Sequence, residues 1–294
     1  MIVRVTSLGV VFLPQLPPER LRSVAETADR AGLAELWLWE DCFRESGIAS
    51  GAAALAWTQR VRIGIGLLPA PLRNVALTAM EAATLHRLFP GRVAVGIGHG
   101  VQDWMGQVGA RVESPVGLLR EYLGALRALL AGEQVSTEGR YVRLDRVALD
   151  WPPASAPALV VGAVGPRTLR LSGELAGGTI LTAATSPTGL RRARALIDEG
   201  RRAAGRERPH LVTVYLLAAT GTGATQRLDA ERRDSALGPA DGLGVAGDAN
   251  AVADAVGRLA DAGADTVVLQ PTADEPDPEG FVQFAAGEVR PLVP

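Results

Sequence analysis

Short apolar runs alternate with longer runs of helical periodicity along this chain, and that alternation constrains the fold more than any other feature. We predict strands at residues 7–13, 35–39, 61–67, 92–97, 158–162, 178–182, 211–219 and 266–270. We predict helices at residues 17–32, 48–58, 73–88, 114–132, 166–175, 187–204, 248–263 and 279–290. Eight such units without a clear linker predict one (β/α)₈ TIM barrel in the α/β class, and a doubly wound open sheet is the alternative.

The predicted barrel is a single domain over residues 1–294 with two insertions. The first, near residues 132–156, contains a predicted hairpin at 135–144 that turns at Glu138-Gly139. The second, near residues 220–247, is Gly-rich and charged, and we expect one short helix in it. A chain of 294 residues is long enough to bury a large core.

Composition excludes several classes of function. The formal net charge of −2 does not favour a nucleic acid partner, and no run approaches the roughly 18–20 apolar residues of a membrane span. We therefore expect a cytoplasmic protein with no membrane partner. All 30 basic residues are arginine, which excludes Schiff-base chemistry at a lysine. Cys42 is the single cysteine and is interpreted as a small buried hydrophobe, and the three histidines lack metal-ligand spacing, so no metal site is expected.

Two of the predicted strands, at residues 61–67 and 92–97, are interrupted by glycine and end in Gly-rich loops. Such ends let backbone amides approach a ligand closely, so the pair predicts a composite ligand site. Gly165-Pro166 opens a helix after the fifth strand, where free amides and Arg167 would bind phosphate, although a simple tight turn is the alternative. Val101 and Asp103 stand where a dinucleotide fingerprint needs its last glycine, which disfavours a Rossmann site.

Candidate catalytic residues also follow predicted strands. Glu40-Asp41 places two carboxylates at a strand end, where burial would raise a pKa to a useful value for acid or base catalysis. The simpler alternative is that one of them caps the next helix or pairs with an arginine. His99, between two glycines, is the histidine in a functional position. Aromatic residues near these loops suit a pocket for a flat ring, or ordinary packing at the barrel mouth: Phe12, Trp39, Phe43 and Trp104.

Several segments together resemble a known family over nearly the whole chain. They are residues 35–43, residues 64–67 with Arg73-Asn74 behind them, residues 90–100, the hairpin at 139–144, and residues 163–166. In order and spacing they are similar to the bacterial luciferase-like superfamily, in particular its branch that uses the deazaflavin coenzyme F420. Relatives that use flavin mononucleotide (FMN) share the same layout.

The resemblance implies a (β/α)₈ barrel that holds its coenzyme ring in the mouth. It implies a bulge with a non-prolyl cis peptide at about Gly66-Leu67, behind the ring. It places the coenzyme phosphate against the loops after strands four and five. With the adjoining helix start and the end of strand six, the predicted coenzyme-binding residues there are Gly98, His99, Gly100, Ala163, Val164, Gly165, Pro166, Arg167 and Thr182.

This chain departs from the family pattern at two positions. Asp41 replaces a histidine that deazaflavin relatives often carry, and Val101 stands where some have an acidic residue. We interpret the protein as an oxidoreductase that transfers a hydride between F420 and a small organic substrate, with Asp41 and either Glu40 or His99 handling the proton. The alternatives are an FMN-dependent monooxygenase that uses oxygen and a non-catalytic coenzyme-binding protein. A homodimer is expected through the Ala-rich helices at 48–58 and 73–88.

Overall fold

Parallel strands close into a barrel in the computed structural model, which describes residues 6–234 and 243–293. In chain order the strands are β1 Ser7–Phe12, β2 Glu35–Leu38, β3 Arg62–Pro69, β4 Val93–Gly98, β5 Val135–Glu138, β6 Arg143–Val147, β7 Val160–Gly162, β8 Gly178–Leu181, β9 Leu211–Ala219, β10 Val245–Ala246 and β11 Thr266–Gln270. The barrel order is β1-β2-β3-β4-β7-β8-β9-β11, and β11 pairs with β1 to close it. The predicted (β/α)₈ barrel is confirmed, and the open-sheet alternative is excluded. The extent of one domain over residues 1–294 stays a prediction.

Helices connect successive barrel strands, as parallel pairing requires. In chain order they are α1 Leu21–Arg30, α2 Gly47–Trp57, α3 Val75–Leu88, α4 Gln102–Gln107, α5 Pro115–Leu130, α6 Pro166–Leu175, α7 Pro187–Ala203, α8 Ala224–Asp234, α9 Ala249–Ala262 and α10 Pro278–Phe284. Local chemistry explains many of the starts, because a side-chain oxygen accepts a hydrogen bond from a first-turn amide. Residues with this role are Ser46, Asn74, Ser114, Ser186, Asp248 and Asp277.

The insertions differ in detail from their predictions. Strands β5 and β6 pair Glu138 with Arg143, so the loop is 139–142, and the predicted Glu138-Gly139 lies at its start. The Glu121 carboxylate in α5 accepts hydrogen bonds from three amides of that loop, residues 140–142, and so holds its shape. The second insertion contains α8 and the short β10, and its residues 235–242 lie outside the described residues. Helix α4, directly after β4, was not predicted.

Side chains on each barrel strand alternate between the barrel interior and the layer beneath the helices. On β1, Val11 packs with the interior cluster, whereas Phe12 packs in the outer layer with Leu21 and Val24. Phe12 is 1% exposed, and its position in the outer layer corrects the prediction that it lines the substrate pocket. Leu13, just beyond the strand, returns to the interior cluster.

Within the described ranges, no helix is both long and apolar enough to cross a bilayer.

Candidate functional site

A bulge interrupts β3 at the mouth of the barrel. The pairing of β3 with β4 shifts between Ile65 and Leu68, so that Gly66 and Leu67 together oppose the single residue Gly96. A bulge of this kind redirects side chains and is common beside active sites. The local sequence favours it, because glycine tolerates backbone conformations that other residues avoid.

Two peptide bonds near the mouth are cis and do not precede proline. The Gly66–Leu67 bond is one of them, which confirms what the resemblance implied. The other joins Cys42 to Phe43 after β2 and was not predicted.

The Leu67 side chain lies across the ends of β4 and β7, the next two strands around the barrel from β3. A Cβ atom added at Gly98 of β4, or at Gly162 of β7, would clash with Leu67 Cδ2. The missing side chains of these two glycines therefore make room for Leu67. Gly98 was predicted to let the backbone approach a coenzyme, and the structure adds this packing requirement at the same position.

Three aromatic side chains fill the interior below the bulge. The Tyr215 ring, from β9, lies 6.2 Å from Trp37 in an edge-on arrangement and 5.4 Å from Trp39. The Tyr215 hydroxyl donates a hydrogen bond of 3.2 Å to the Gly66 carbonyl oxygen. The Trp39 indole nitrogen is buried and interacts with the same Tyr215 hydroxyl, although no well-formed hydrogen bond to it exists within the described residues. Trp39 was predicted to lie in the pocket, whereas Tyr215 was missed, although a tyrosine in a strand facing Gly-rich strands was a usable signal.

Glu40 is held by structural contacts. Its Oε2 atom accepts a hydrogen bond of 2.8 Å from the Gly47 amide at the start of α2, and it forms an ion pair with Arg73. Arg73 also lies 3.6 Å from Glu81 of α3. This arrangement matches the simpler alternative for Glu40, capping together with arginine pairing. A catalytic role for Glu40 stays a prediction, with its carboxylate already engaged.

Asp41, the neighbouring residue, is half-buried, and its carboxylate has no hydrogen-bond partner within residues 6–234 and 243–293. Burial raises the pKa of Asp41, and the Arg44 cation opposes that rise. Burial likewise raises the pKa of Glu45, and the nearby Asp41 charge raises it further. Burial also raises the pKa of the Cys42 thiol, with help from Glu40 and Asp41, so that the thiol stays protonated. Asp41 thus combines a raised pKa with a carboxylate that is not engaged, and its catalytic role stays a prediction. Glu45, a neighbour with a raised pKa of its own, was not predicted.

His99 points into the helix layer. Its Nε2 atom lies 2.9 Å from the Thr168 hydroxyl in α6, and burial lowers the pKa of the ring. Gly96 and Gly98 face the interior, so alternation along β4 directs the His99 ring outward. A role of the His99 ring in proton transfer stays a prediction, and the outward orientation of the ring does not favour it. The contact instead joins the loop after β4 to the start of α6.

The start of α6 offers an open set of donors. Gly165 is its N-cap and supplies no side-chain hydrogen bond, and Pro166 follows at the first helical position. Arg167 is exposed, and Val164 is 76% exposed. Strand β7 pairs with β4, which brings Ala163 and this turn beside the loop of Gly98, His99 and Gly100. Unpaired first-turn amides and the helix dipole favour an anion here.

The remaining predicted residues lie around the same end of the barrel. Thr182 is exposed just beyond β8, and Trp104 is half-buried in α4. Phe43 is 66% exposed on the loop after β2. The structure thus brings the predicted residues together at one face, with Phe12 as the exception.

Comparisons with known proteins agree with this arrangement. A 5,10-methylenetetrahydromethanopterin reductase of Methanolobus tindarius is 28% identical over 68% of this chain. A phthiodiolone/phenolphthiodiolone dimycocerosates ketoreductase of Mycobacterium tuberculosis is 33% identical over 78%. This chain spans 61% of the length of each of these curated relatives.

Solved structures share the fold over nearly the full length of both chains. The coenzyme F420 dependent tetrahydromethanopterin reductase from Methanopyrus kandleri has a TM-score of 0.82 at 22% identity, covering 98% of this chain and 99% of that one. An F420-dependent secondary alcohol dehydrogenase in complex with an F420-acetone adduct has a TM-score of 0.86 at 21% identity, covering 99% of both chains. The oxygenating constituent of 3,6-diketocamphane monooxygenase of Pseudomonas putida, in complex with FMN, has a TM-score of 0.78 at 18% identity, covering 98% and 99%.

The family model described as luciferase-like monooxygenase matches residues 6–237. That match covers most of the barrel, including the bulge of β3 and the start of α6. On this evidence the chain belongs to the bacterial luciferase-like family.

Proposed function

We propose that this protein is an oxidoreductase that transfers a hydride between coenzyme F420 and a small organic substrate. Its curated relatives include two reductases, and its structural neighbours include two enzymes described as F420-dependent. The observation that carries the proposal is the arrangement at the barrel mouth. The bulge of β3, the open start of α6 and the Asp41 carboxylate all lie at the carboxyl ends of barrel strands, where such barrels bind ligands.

The residues present fit a deazaflavin with a phosphate-bearing side chain. Leu67 presents an apolar surface for a flat ring, and the first-turn amides of α6 with Arg167 suit a phosphate. When bound, the coenzyme supplies the ring carbon that accepts or releases the hydride.

The protein's own residues position the reactants and move the proton. Leu67 supports one face of the ring, and the α6 start holds the phosphate away from the reacting centre. Asp41 holds a proton at its carboxylate oxygen and exchanges it with the substrate oxygen as the hydride moves. Because burial raises the pKa of Asp41, that exchange is easier near neutral pH than for an exposed aspartate.

The experiment that tests this function is a titration of the purified protein with F420, FMN and a nicotinamide dinucleotide. Binding of each is measured by the quenching of tryptophan fluorescence. We expect F420 to bind most tightly, and reduced F420 to be oxidised in single turnovers by a member of a panel of small ketones and aldehydes. Tighter binding of the nicotinamide dinucleotide would contradict the proposal.

A monooxygenase that uses FMN is the second candidate, and the FMN complex among the structural neighbours favours testing it. Preferential FMN binding with substrate-dependent oxygen consumption would establish that candidate. F420 binding without turnover on the panel would favour a coenzyme-binding protein.

A homodimer through α2 and α3 belongs to the same proposal. Leu77, Met80 and Leu88 form an apolar stripe on α3 and are 45%, 59% and 65% exposed. Trp151 is 71% exposed and stacks near Arg87 of α3, which widens this surface. A second copy of the chain would cover it and remove apolar area from water. A cytoplasmic location stays a prediction of the sequence.

A further inference from the structure

A connected set of polar and aromatic side chains runs through the barrel interior from its amino end to the bulge. Arg62 Nη1 donates a hydrogen bond of 2.7 Å to Glu35 Oε1, and the Trp37 indole N–H donates one of 2.9 Å to Glu35 Oε2. Trp37 meets Tyr215 edge-on, and Tyr215 reaches the Gly66 carbonyl. We refer to these four side chains, Arg62, Glu35, Trp37 and Tyr215, as the interior column.

Two glycines on β3 leave room for the interior column beneath the bulge. A Cβ atom at Gly64 would clash with the Trp37 ring, and one at Gly66 would clash with the Tyr215 hydroxyl. The two aromatic side chains therefore occupy space that side chains of β3 would otherwise fill. The backbone of the bulge rests directly on them.

The hydrogen bond at the top of the column has a fixed direction. Tyr215 is 5% exposed, and burial raises the pKa of its phenol, so it stays protonated at any working pH. A protonated phenol donates, and the Gly66 carbonyl accepts. The contact is part-buried, so removing the hydroxyl would take a hydrogen-bond donor from the Gly66 carbonyl at some cost in stability.

We propose that Tyr215 is a positioning residue: by donating its hydroxyl to the Gly66 carbonyl it fixes the bulge of β3, and so fixes where Leu67 meets the coenzyme ring. The second half of this statement rests on the proposed function, and the first half does not. Glu35 and Arg62 act through Trp37, whose ring they hold against Tyr215. Tyr215 itself touches the bulge and is not proposed to exchange protons with the substrate.

The test compares Tyr215→Phe with Tyr122→Phe, a matched loss of a buried phenol hydroxyl. Tyr122 donates a hydrogen bond of 2.6 Å to the Thr78 hydroxyl in the helix layer, away from the bulge. Hydrogen–deuterium exchange of the coenzyme-free proteins is followed in the peptide covering residues 64–69. We expect exchange there to accelerate at least tenfold in Tyr215→Phe and to remain unchanged in Tyr122→Phe. Equal exchange in wild type and Tyr215→Phe would overturn the anchoring of the bulge.

The coenzyme is then added to the same proteins. We expect F420 to bind about five- to tenfold more weakly to Tyr215→Phe, the size of one lost buried hydrogen bond, with a shifted absorbance maximum of the bound coenzyme. Tyr122→Phe keeps both the affinity and the spectrum. Faster exchange with unchanged affinity and spectrum would overturn the link from Tyr215 to the ring. Failure of the unmodified protein to bind F420 would contradict the proposed function and leave the exchange result standing.

A measurement that does not need the Tyr215→Phe variant covers the case in which this variant does not fold. The chain has three tyrosines, so protein labelled with 3-fluorotyrosine gives three fluorine resonances. Tyr122→Phe and Tyr141→Phe assign the remaining resonance to Tyr215. We expect only that resonance to shift when F420 is added. A Tyr215 resonance that is unaffected by bound F420 would overturn the positioning role.

Discussion

Glu40 of the loop after β2 and Arg73 before α3 form a largely buried ion pair, with side chains that are 10% and 15% exposed. The pair ties the end of β2 to the start of α3 across the end of β3. It engages the first of two adjacent carboxylates and leaves the second, Asp41, without a hydrogen bond among the described residues. Two neighbouring residues of the same chemistry thus have different environments.

Asp41→Asn keeps the shape of the side chain and removes the ionisable group. If Asp41 exchanges a proton in the transition state, we expect the single-turnover rate to fall by about 10²–10⁴-fold while the F420 dissociation constant changes little. The rate is measured by stopped-flow absorbance with the ketone or aldehyde found active. A variant that loses affinity and keeps its rate would show that Asp41 binds rather than catalyses.

Glu40→Gln should behave differently, because it leaves the largely buried Arg73 cation with Glu81 as its remaining carboxylate neighbour. We expect a loss of about 2–4 kcal/mol in the free energy of unfolding, somewhat below the range for fully buried pairs. Urea denaturation followed by circular dichroism measures it. Asp41→Asn serves as the control and should lose little stability, since no hydrogen bond to its carboxylate is broken.

Gly165→Val tests the proposed phosphate-binding site at the start of α6 without disturbing the fold. A side chain at this N-cap meets open space, and the backbone there, at φ −81° and ψ 153°, is one that valine adopts readily. We expect weaker F420 binding, by about 1–3 kcal/mol if one or two charge-assisted hydrogen bonds are lost. Gly165→Ala should give a smaller loss. Titration calorimetry measures the F420 affinity of each variant. Normal F420 binding by the valine variant would show that the phosphate does not bind at the start of α6.

His210 should make the protein less stable in acid. Burial, with a smaller contribution from the Arg194 cation, lowers the pKa of His210 from 6.5 to about 4, and its ring hydrogen-bonds the buried Thr179 hydroxyl at 2.7 Å. The unfolded state therefore binds a proton between pH 6.5 and 4 that the folded state does not, so this contribution is full above pH 6.5 and is lost as pH falls. The loss approaches about 3 kcal/mol near pH 4. Urea denaturation of wild type and His210→Gln at pH 7.5 and pH 5 isolates the contribution of His210. The same change in unfolding free energy between the two pH values in both proteins would contradict this prediction.

Met80→Glu tests the proposed dimer. A charge in the middle of the α3 stripe would be buried against the second copy, so we expect monomers at micromolar concentration by light scattering. Leu292→Glu is the control, since Leu292 is 49% exposed and lies away from α3 in the chain's last turn. A wild-type protein that is monomeric at the same concentration would contradict the proposal.

Periodicity and turn residues in the sequence determined the order and the approximate bounds of the barrel elements. Strands β9 and β11 match their predicted ranges, because apolar runs of barrel strands and the Pro and Gly residues around them are local signals. The carboxyl-end loops followed directly from that order, since parallel strands place their ends on one face. The sequence alone therefore predicts the two carboxylates of Glu40-Asp41 and the helix start at Gly165 as site candidates.

Only the tertiary structure decided which contacts each of those residues makes. Whether Glu40 or Asp41 is engaged depends on Arg73, which is more than 30 positions away and reaches Glu40 across the end of β3. The role of Gly98 depends on Leu67 of the neighbouring strand, and that of Gly66 depends on Tyr215 from β9. Phe12 was misplaced because strand periodicity sets alternation but not which face meets the interior. Such contacts join residues distant in sequence, and their geometry is set by closure of the barrel.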